Sequence, residues 1–464
     1  MFAHTAVALF LSFTAAGTAQ AHSMDAHRRS HVGRQDPHAI PPLAEITQGM
    51  PTEPPVPLSA TPTAGSAPAV SGAPNLPPIP DMSSYPPGGQ LLPTDSPEVK
   101  EWLAEIAASG VTIPNIAPNK VLPNDAPPGT TLCSLNQEAS AAGGASGNCW
   151  WSCSMCTRDT DIVTCPDKMA WGLTFDDGPS PYTPKVLNYL ADKNLKASFY
   201  VIGANIVNHP EILQATYVAG HEIAGHTWTH PQLTTLTNEQ IVAELGWTRK
   251  AIQAVLGVTP RYFRPPYGDC DDRVRAIAKG LGMTPVIWTE GFDTDDWSVN
   301  SGGVSTKLME GYNKMLETLP TLNTGVVSLQ HDWYQGTVDL AVGYFLPAAL
   351  SHNPAPNFQS VIECQHQPLG MSYIETSGAG VPAPGSTNNT STTAAPSAPA
   401  GSTTKSSAPT AGTIKSSTTA TPSGTASASS ANASANASAN AALTTRDAGL
   451  FAVAMGVAVS ILGA

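Results

Sequence analysis

HEIAGHTWTH, residues 221–230, sets three histidines and a glutamate into ten positions. The zinc-protease pattern H-E-x-x-H is the first comparison it invites. That pattern needs two histidines four apart on a helix, with the glutamate directly after the first. Here Glu222 follows His221, but the next histidine, His226, is five residues on. Five residues turn a helix by about 500°, so the two rings would diverge by roughly 140°. The protease geometry therefore fails. His226 and His230 are four apart, and a single turn would aim both at one ion. Because HEIAGHTW (221–228) itself reads as a strand, that pair stands at a strand's C-terminal end.

Working outward, the same strand-then-site arrangement recurs. Strand-like runs are MAWGLTFDD (169–177), KASFYVIG (196–203), HEIAGHTW (221–228), RYFRPPYG (261–268), TPVIWTEG (284–291), GVVSLQHD (325–332) and FQSVIEC (358–364). Helical patterns lie between them, among them PKVLNYLADKN (184–194) and NEQIVAELGWTRKAIQAVLG (238–257). Repeated βα alternation predicts an α/β fold with a parallel sheet covered by helices, either a barrel or a doubly wound sheet. Reactive residues gather at the C-terminal ends of the strands: Asp176 and Asp177, His226 and His230, Arg264 and Tyr267, Asp293 and Asp296, and His331. In a βα barrel those ends share the face on which active sites form.

The flanks are of another kind. The chain has 464 residues and 43 Pro, 28 of them outside residues 165–372. Residues 1–21 read as a secretory signal, with the apolar core AVALFLSFTAA (6–16) and the cleavage pattern Ala19-Gln20-Ala21. Residues 22–130 are rich in Pro and Ala and are expected to be largely disordered or extended. One helical window, SPEVKEWLAEIAASG (96–110), interrupts them. Residues 373–447 are Ser, Thr, Ala and Pro, the composition of a glycosylated stalk. Sequons stand at Asn388, Asn389, Asn432 and Asn436. Residues 448–464 form an apolar tail behind a polar spacer and a run of small residues, the pattern of a GPI-anchor signal, with Asn436, Ser438 and Asn440 as attachment candidates. The expected location is therefore secreted, at the outer leaflet of the cell membrane and in the cell wall, with the membrane met only through the anchor. A net charge of −13 argues against nucleic acid and anionic lipid as partners.

An oxidising compartment makes disulfides the expected state of most of the seven cysteines. Residues 131–164 form a Cys-rich lead-in containing CWWSCSMC, whose tryptophans could stack sugar rings but more simply cap the domain. A bridge from Cys165 to Cys364 would tie the ends of the domain at 165–372 together. The odd count leaves one cysteine over.

Two histidines and one carboxylate form a common catalytic-zinc set. Paired Asp176 and Asp177 can divide the labour, one binding metal and the other serving as base. Arg264 could hold the free carboxylate ionised. His331 could act as general acid, oriented by an aspartate such as Asp296. A backbone N–H near Tyr267 could meet an oxyanion. Taken alone, Asp-Asp-Gly-Pro is a turn and H-x-x-x-H a surface helix. The ordered set at strand ends is what points to hydrolysis of an acyl bond.

TFDDGP (174–179), HTWTH (226–230), RPPYG (264–268), DTDDW (293–297) and LQH (329–331) resemble, in order, the five motifs of the NodB-type polysaccharide deacetylases, carbohydrate esterase family 4. The resemblance implies an incomplete, distorted (β/α)7 barrel. It implies Asp176 as base, and Asp177, His226 and His230 as ligands to one divalent metal, usually zinc, with cobalt or manganese as substitutes. Arg264 would hold Asp176, Asp296 would tune the acid His331, and the Tyr267 N–H would join the oxyanion site. Trp297 and Leu329 would wall the space for the acetyl methyl. His221 is left a structural role. The anchored, stalked form is similar to fungal cell-wall chitin deacetylases, which implies chitin, an N-acetylglucosamine polymer, among the cell-wall polysaccharides as substrate. An O-acetyl esterase acting on xylan or another wall glycan, and a catalytically idle wall polysaccharide-binding mannoprotein, are the alternatives.

Overall fold

In a computed structural model of the chain, the described residues are 39–123, 125–141 and 148–378. The signal, tail, sequons and anchor candidates lie outside them, as does the expected stalk from residue 379 onward. The expectation that the stalk begins at residue 373 is corrected, since Tyr373 and Ile374 are buried and Glu375 bonds to Thr259.

Eight strands form two parallel sheets. One has the order β7-β1-β8 and the other β2-β3-β4-β5-β6. The strands are β1 (Ala170–Gly172), β2 (Thr174–Asp176), β3 (Ser198–Val201), β4 (Glu222–Gly225), β5 (Tyr262–Phe263), β6 (Thr284–Pro285), β7 (Val326–Val327) and β8 (Asn357–Gln359). Each expected run contains a strand, but a shorter one. The single strand expected over 169–177 is two, because the chain changes partners at Leu173. Its N–H bonds to Gln359, while its carbonyl takes the N–H of Ser198. The first half thus pairs with β8 and the second with β3. The expected last strand, 358–364, is also corrected: after Gln359 the chain enters a helical turn, Val361–Cys364, capped by Ser360 and Glu363. Isolated parallel bridges Asp176↔His331 and Asp293↔Leu329 connect the segments beyond β2, β6 and β7.

Helices α1 (Pro97–Ala108), α2 (Thr183–Asp192), α3 (Gly203–Asn208), α4 (Pro210–Val218), α5 (Asn238–Leu256), α6 (Asp272–Gly280), α7 (Ser305–Thr318), α8 (Gln335–Leu340) and α9 (Leu346–Ser351) accompany the sheets. The longest, α5, shows why these sequences stop where they do. Thr237 and Gln240 close a reciprocal capping box, worth about 1 kcal/mol. At the other end Gly257 takes φ 79°, a left-handed conformation that glycine adopts without steric cost.

The expectation of disorder over 22–130 is corrected for residues 39–123. They carry little regular structure, yet they pack as a strap around the domain. Ile46, Val56, Val70, Leu76, Met82 and Leu92 are all buried. Polar backbone groups, which would otherwise be stranded, find partners on the core. Gln214 donates to Pro77 O (3.1 Å), Ser305 to Leu43 O (2.5 Å), and Tyr344 to Pro41 O (2.6 Å). Helix α1 docks on α5 through Val99, Trp102 and Ile106. Approach is so close that a Cβ on Gly246 would lie 2.1 Å from the Trp102 ring. Arg249 clasps Glu105 with both terminal nitrogens (2.9 and 2.5 Å).

Three disulfides close Cys133–Cys153, Cys149–Cys156 and Cys165–Cys364, leaving Cys270 buried and free. Trp150 and Trp151 are buried at 0% and 6% exposure, so the reading of them as a sugar platform is corrected. Trp151 packs edge-on to Trp288, and Trp150 donates to Asp269 (2.7 Å). The Cys165–Cys364 bridge spans 199 residues. Removing it with Cys165→Ser and Cys364→Ser is expected to lower stability by about 2–5 kcal/mol, since so long a loop constrains the unfolded chain strongly. Chemical denaturation of the two proteins checks this. A loss under about 1 kcal/mol would mean that packing alone holds the ends.

Candidate active site

The turn that opens the sequence argument is not helical. After β4 ends at Gly225, residues 226–230 form an irregular bend in which Thr227 and His230 have φ 63° and 61°. The expectation that one helical turn aims His226 and His230 at a common point is corrected. Side-chain convergence survives by another route. Asp177 and Tyr267 are also left-handed, at φ 77° and 58°. Such conformations cost roughly 1–3 kcal/mol each in residues other than glycine and persist only where neighbours over-determine them.

Hydrogen bonds from neighbouring elements hold this turn. His226 N–H donates to Val201 O (2.8 Å), Gly203 N–H to Thr227 O (2.9 Å), and Ala204 N–H to Trp228 O (3.2 Å). Buried Glu244, on α5, accepts from the N–H groups of Trp228 and Thr229 (2.8 Å each) and from the Thr229 hydroxyl (2.7 Å). A side chain at Gly203 would put its Cβ 2.2 Å from the Trp228 ring. Asp177 is held likewise, its N–H on Tyr200 O (3.1 Å) and its carbonyl taking the Asn205 amide (2.7 Å). Asp332, a buried acid, accepts from Gly178 N–H (3.1 Å) and Thr183 Oγ1 (2.5 Å).

Within this frame His226 Nε2 and His230 Nε2 each stand 3.4 Å from Asp177 Oδ1. A tetrahedral ion with bonds of about 2.0–2.1 Å separates its ligand atoms by roughly 3.3–3.4 Å, so the spacing fits a divalent cation such as zinc. Asp177 Oδ1 is buried and has no hydrogen-bond partner, as an atom reserved for a cation would be. His226 Nδ1–H donates to Arg264 O (2.8 Å), which leaves its Nε2 lone pair facing the ion's position. His230 Nδ1 lies 3.2 Å from the Tyr267 hydroxyl. Among the described residues this is the group that could hold a metal.

The adjacent aspartates are driven in opposite directions. Burial raises the Asp176 carboxyl above its ordinary value, although Arg264, His226 and His331 oppose it. Burial also acts on Asp177, but there the imidazoles of His230 and His226 win and hold it well below. Arg264 is fully buried and donates from Nη1 to Asp176 Oδ1 and to Thr174 Oγ1 (2.8 Å each). Its guanidinium lies 4.1 Å from the centre of the Tyr200 ring. Opposite, His331 Nδ1–H donates to Asp296 Oδ1 (2.6 Å), and the His331 N–H to Asp296 Oδ2 (2.8 Å). Burial would lower His331, yet the Asp296 carboxylate raises it to about 10. Asp293, nearby, is raised to about 7 by burial and by Asp295.

Asp176, Asp177, His226, His230, Arg264, Asp296 and His331 are thus brought together, with Tyr267 in reach of His230. Leu329 is buried, and its pairing with Asp293 sets it beside the segment carrying Asp296 and half-buried Trp297. His221 is elsewhere: it is buried, accepts from Ala197 N–H (3.3 Å), and is lowered by burial to about 3. Sequence reasoning missed Glu244, Asp332, Tyr200 and the Tyr267 hydroxyl. Glu244 left a readable trace, a charged residue among Ile241, Val242 and Leu245 on an apolar helix face.

The polysaccharide deacetylase family model matches residues 164–286, a span that holds both aspartates, both histidines, Arg264 and Tyr267. Chitin deacetylase 1 of Cryptococcus neoformans var. grubii is 49% identical over 351 residues, covering 73% of this chain and 71% of that one. The chitin deacetylase of Amylomyces rouxii is 44% identical over 204 residues, covering 42% of this chain and 48% of its own. A solved chitin deacetylase from Colletotrichum lindemuthianum is 25% identical, covers 46% of this chain and 95% of that one, and superposes with a TM-score of 0.42. The extent and identity of the first of these relatives, joined to the matched motif residues, mean that this chain belongs to the polysaccharide deacetylases, the NodB-type enzymes of carbohydrate esterase family 4.

Proposed function

We propose that the chain is a metal-dependent chitin deacetylase that hydrolyses N-acetyl groups to acetate and leaves free amines on the polymer. One observation carries the mechanism: Asp177, His226 and His230 converge at metal-ligand spacing, flanked by Asp176 held on Arg264 and by His331 held on Asp296. The relatives named as chitin deacetylases support the choice of substrate. The bridges at Asp176–His331 and Asp293–Leu329 support the incomplete, distorted (β/α)7 barrel that the motifs imply.

Asp177, His226 and His230 would hold the ion, zinc by donor set, with cobalt or manganese able to replace it. When bound, it supplies Lewis-acid polarisation of the attacking water and the acetyl carbonyl. The chain's own groups then move the protons. Asp176 takes a proton from water as the water oxygen bonds to the acetyl carbon, and its burial-raised basicity suits it to that task. Arg264 fixes Asp176 Oδ1, so Oδ2 is the oxygen free to act. The Tyr267 N–H meets the developing oxyanion. His331 Nε2–H gives its proton to the amide nitrogen as the C–N bond breaks, releasing acetic acid and the free amine. The proton Asp176 took from water then passes through solvent to His331, so one water is consumed and the site ends as it began. Asp296 orients His331 through its Nδ1–H and favours the doubly protonated ring, and Trp297 and Leu329 bound the methyl.

We infer a place at the outer leaflet and cell wall from the signal, stalk and tail patterns, which lie outside the described residues. Three disulfides support an oxidising environment. No described helix is long and apolar enough to cross a membrane.

Acetate release from chitin oligomers and acetylated xylan, offered side by side with and without chelator, tests the function. Chelator-sensitive release from chitin is expected, restored by zinc. Release from xylan alone would make the protein an O-acetyl esterase, and binding to chitin without release would make it an idle binder. Asp176→Asn should cut turnover by about 10²–10⁴-fold while zinc affinity holds, and His226→Ala should lose the metal.

The acid makes a separate prediction. His331 must be protonated to donate, so activity declines as pH rises through its pKa. Asp296 is what raises that pKa, so Asp296→Asn should move the alkaline limb of kcat to lower pH by about 1–3 pH units. An unmoved limb in a pH profile would assign the acid elsewhere.

A further inference from the structure

The turn that carries His226 and His230 is braced from outside the βα domain. Three contacts reach it from residues 82–108 of the N-terminal strap. First, the Tyr85 ring stacks on buried Trp228, between the two histidines in sequence, with centroids 6.1 Å apart and planes at 11°. Tyr85 also meets Trp247 edge-on at 5.9 Å. Second, Gly88 presses on α3, where a Cβ at Gly88 would lie 2.9 Å from that of Ala204. The N–H groups of Gly203 and Ala204 are the ones that hold the Thr227 and Trp228 carbonyls. Third, α1 fixes α5: Trp102 packs edge-on to Trp247 at 5.5 Å, and Glu105 pairs with Arg249. One helical turn before Trp247 stands Glu244, whose carboxylate grips the Trp228 and Thr229 N–H groups.

We propose that strap residues 82–108 are a positioning element of the metal centre, setting the affinity and geometry of His226 and His230 through Trp228 and Glu244. Tyr85 is the residue that acts most directly. A turn with left-handed Thr227 and His230 does not hold itself. Besides one bond of its own, His230 N–H to Thr227 Oγ1 (3.1 Å), and the Val201 carbonyl of β3, its hydrogen bonds come from α3 and α5, and the strap packs on both helices and on the turn. The segment is thus part of the catalytic unit, not a detachable leader. This inference rests on the metal site proposed above.

The experiment uses the full secreted chain. Zinc affinity is measured by competition with a chromophoric chelator, alongside the melting temperature of the metal-free protein and kcat and KM on chitin oligomers at saturating zinc. Tyr85→Ala should weaken zinc binding by about tenfold or more and lower kcat, with KM little changed. Tyr85→Phe, which keeps the stacked ring, should restore both. The control is Val70→Ala. Its neighbour Ala69 packs against Gly220, before β4 and so at the strand end away from the metal turn. It should lower the melting temperature and leave zinc affinity alone. If Tyr85→Ala destabilises the protein as Val70→Ala does and zinc affinity stays within about twofold, Tyr85 is mere packing and the inference fails. Should Tyr85→Ala not fold, Tyr85→Leu supplies apolar bulk without the ring and is read the same way. A wild-type chain that binds no zinc would overturn the metal site itself, a failure distinct from equal binding by wild type and variant.

Discussion

Everything at the centre of this molecule is arranged around one buried cation, the guanidinium of Arg264. Taking such a group out of water costs several kcal/mol unless its donors are all met. Here each of the three guanidinium nitrogens finds an acceptor, and the acceptors come from separate parts of the chain: Thr174 and Asp176 from β2, Val286 just after β6, and Ser328 just after β7. Tyr200 of β3 supplies a ring face, and the Arg264 backbone N–H reaches Gly225 at the end of β4. The cation therefore fixes the relative heights of most strands on the face where the site stands. It also ties the proposed base to the proposed metal site. Its side chain holds Asp176, while its carbonyl holds His226. A conservative change to lysine would keep a charge but lose the fork that reaches several strands at once.

From that constraint follows the unequal treatment of two adjacent carboxylates. Asp176 ends a strand and is fully enclosed, so desolvation governs it. Asp177 is turned by its left-handed backbone toward two imidazoles, and these neighbours hold it below the usual carboxylate range despite its burial. Sequence neighbours can serve different chemistry only because the chain reverses sense between them. The same device recurs at Thr227, His230 and Tyr267, so backbone strain is concentrated where ligands must be aimed. The hydrogen bonds from Val201, α3, Glu244 and Asp332 are the counterweight.

The βα alternation was readable because buried strands and amphipathic helices each have a period. The catalytic set was readable because its members stand at strand ends in order. Strand lengths were not, since β5, β6 and β7 are two-residue ladders within longer extended runs. The strap defeated the reading for a physical reason. Ile46, Val70, Leu76 and Met82 drop singly into hollows prepared by other segments, so no periodicity marks them. A Pro-rich composition predicts the lack of regular structure correctly and the lack of packing wrongly. Histidines four apart pointed to side chains that do converge, with Asp177, but to a helix that is not there, because spacing alone does not distinguish a helical turn from a bend held by outside donors.

The Cys165–Cys364 bond gives the domain a mechanical character. A pull on the chain beyond residue 377 would first work against noncovalent anchors, Glu375 on Thr259 and the Tyr373 hydroxyl on the Ile223 N–H. Once those yield, the load arrives at Cys364 and passes through a covalent bond to Cys165, a few residues before β1. The chain between the two cysteines, which contains every metal-binding and acid–base group discussed above, lies inside the closed loop and bears none of that tension along its backbone. A pull from the C-terminal side would thus peel the final segment and stop there, with the face that carries the candidate site unloaded.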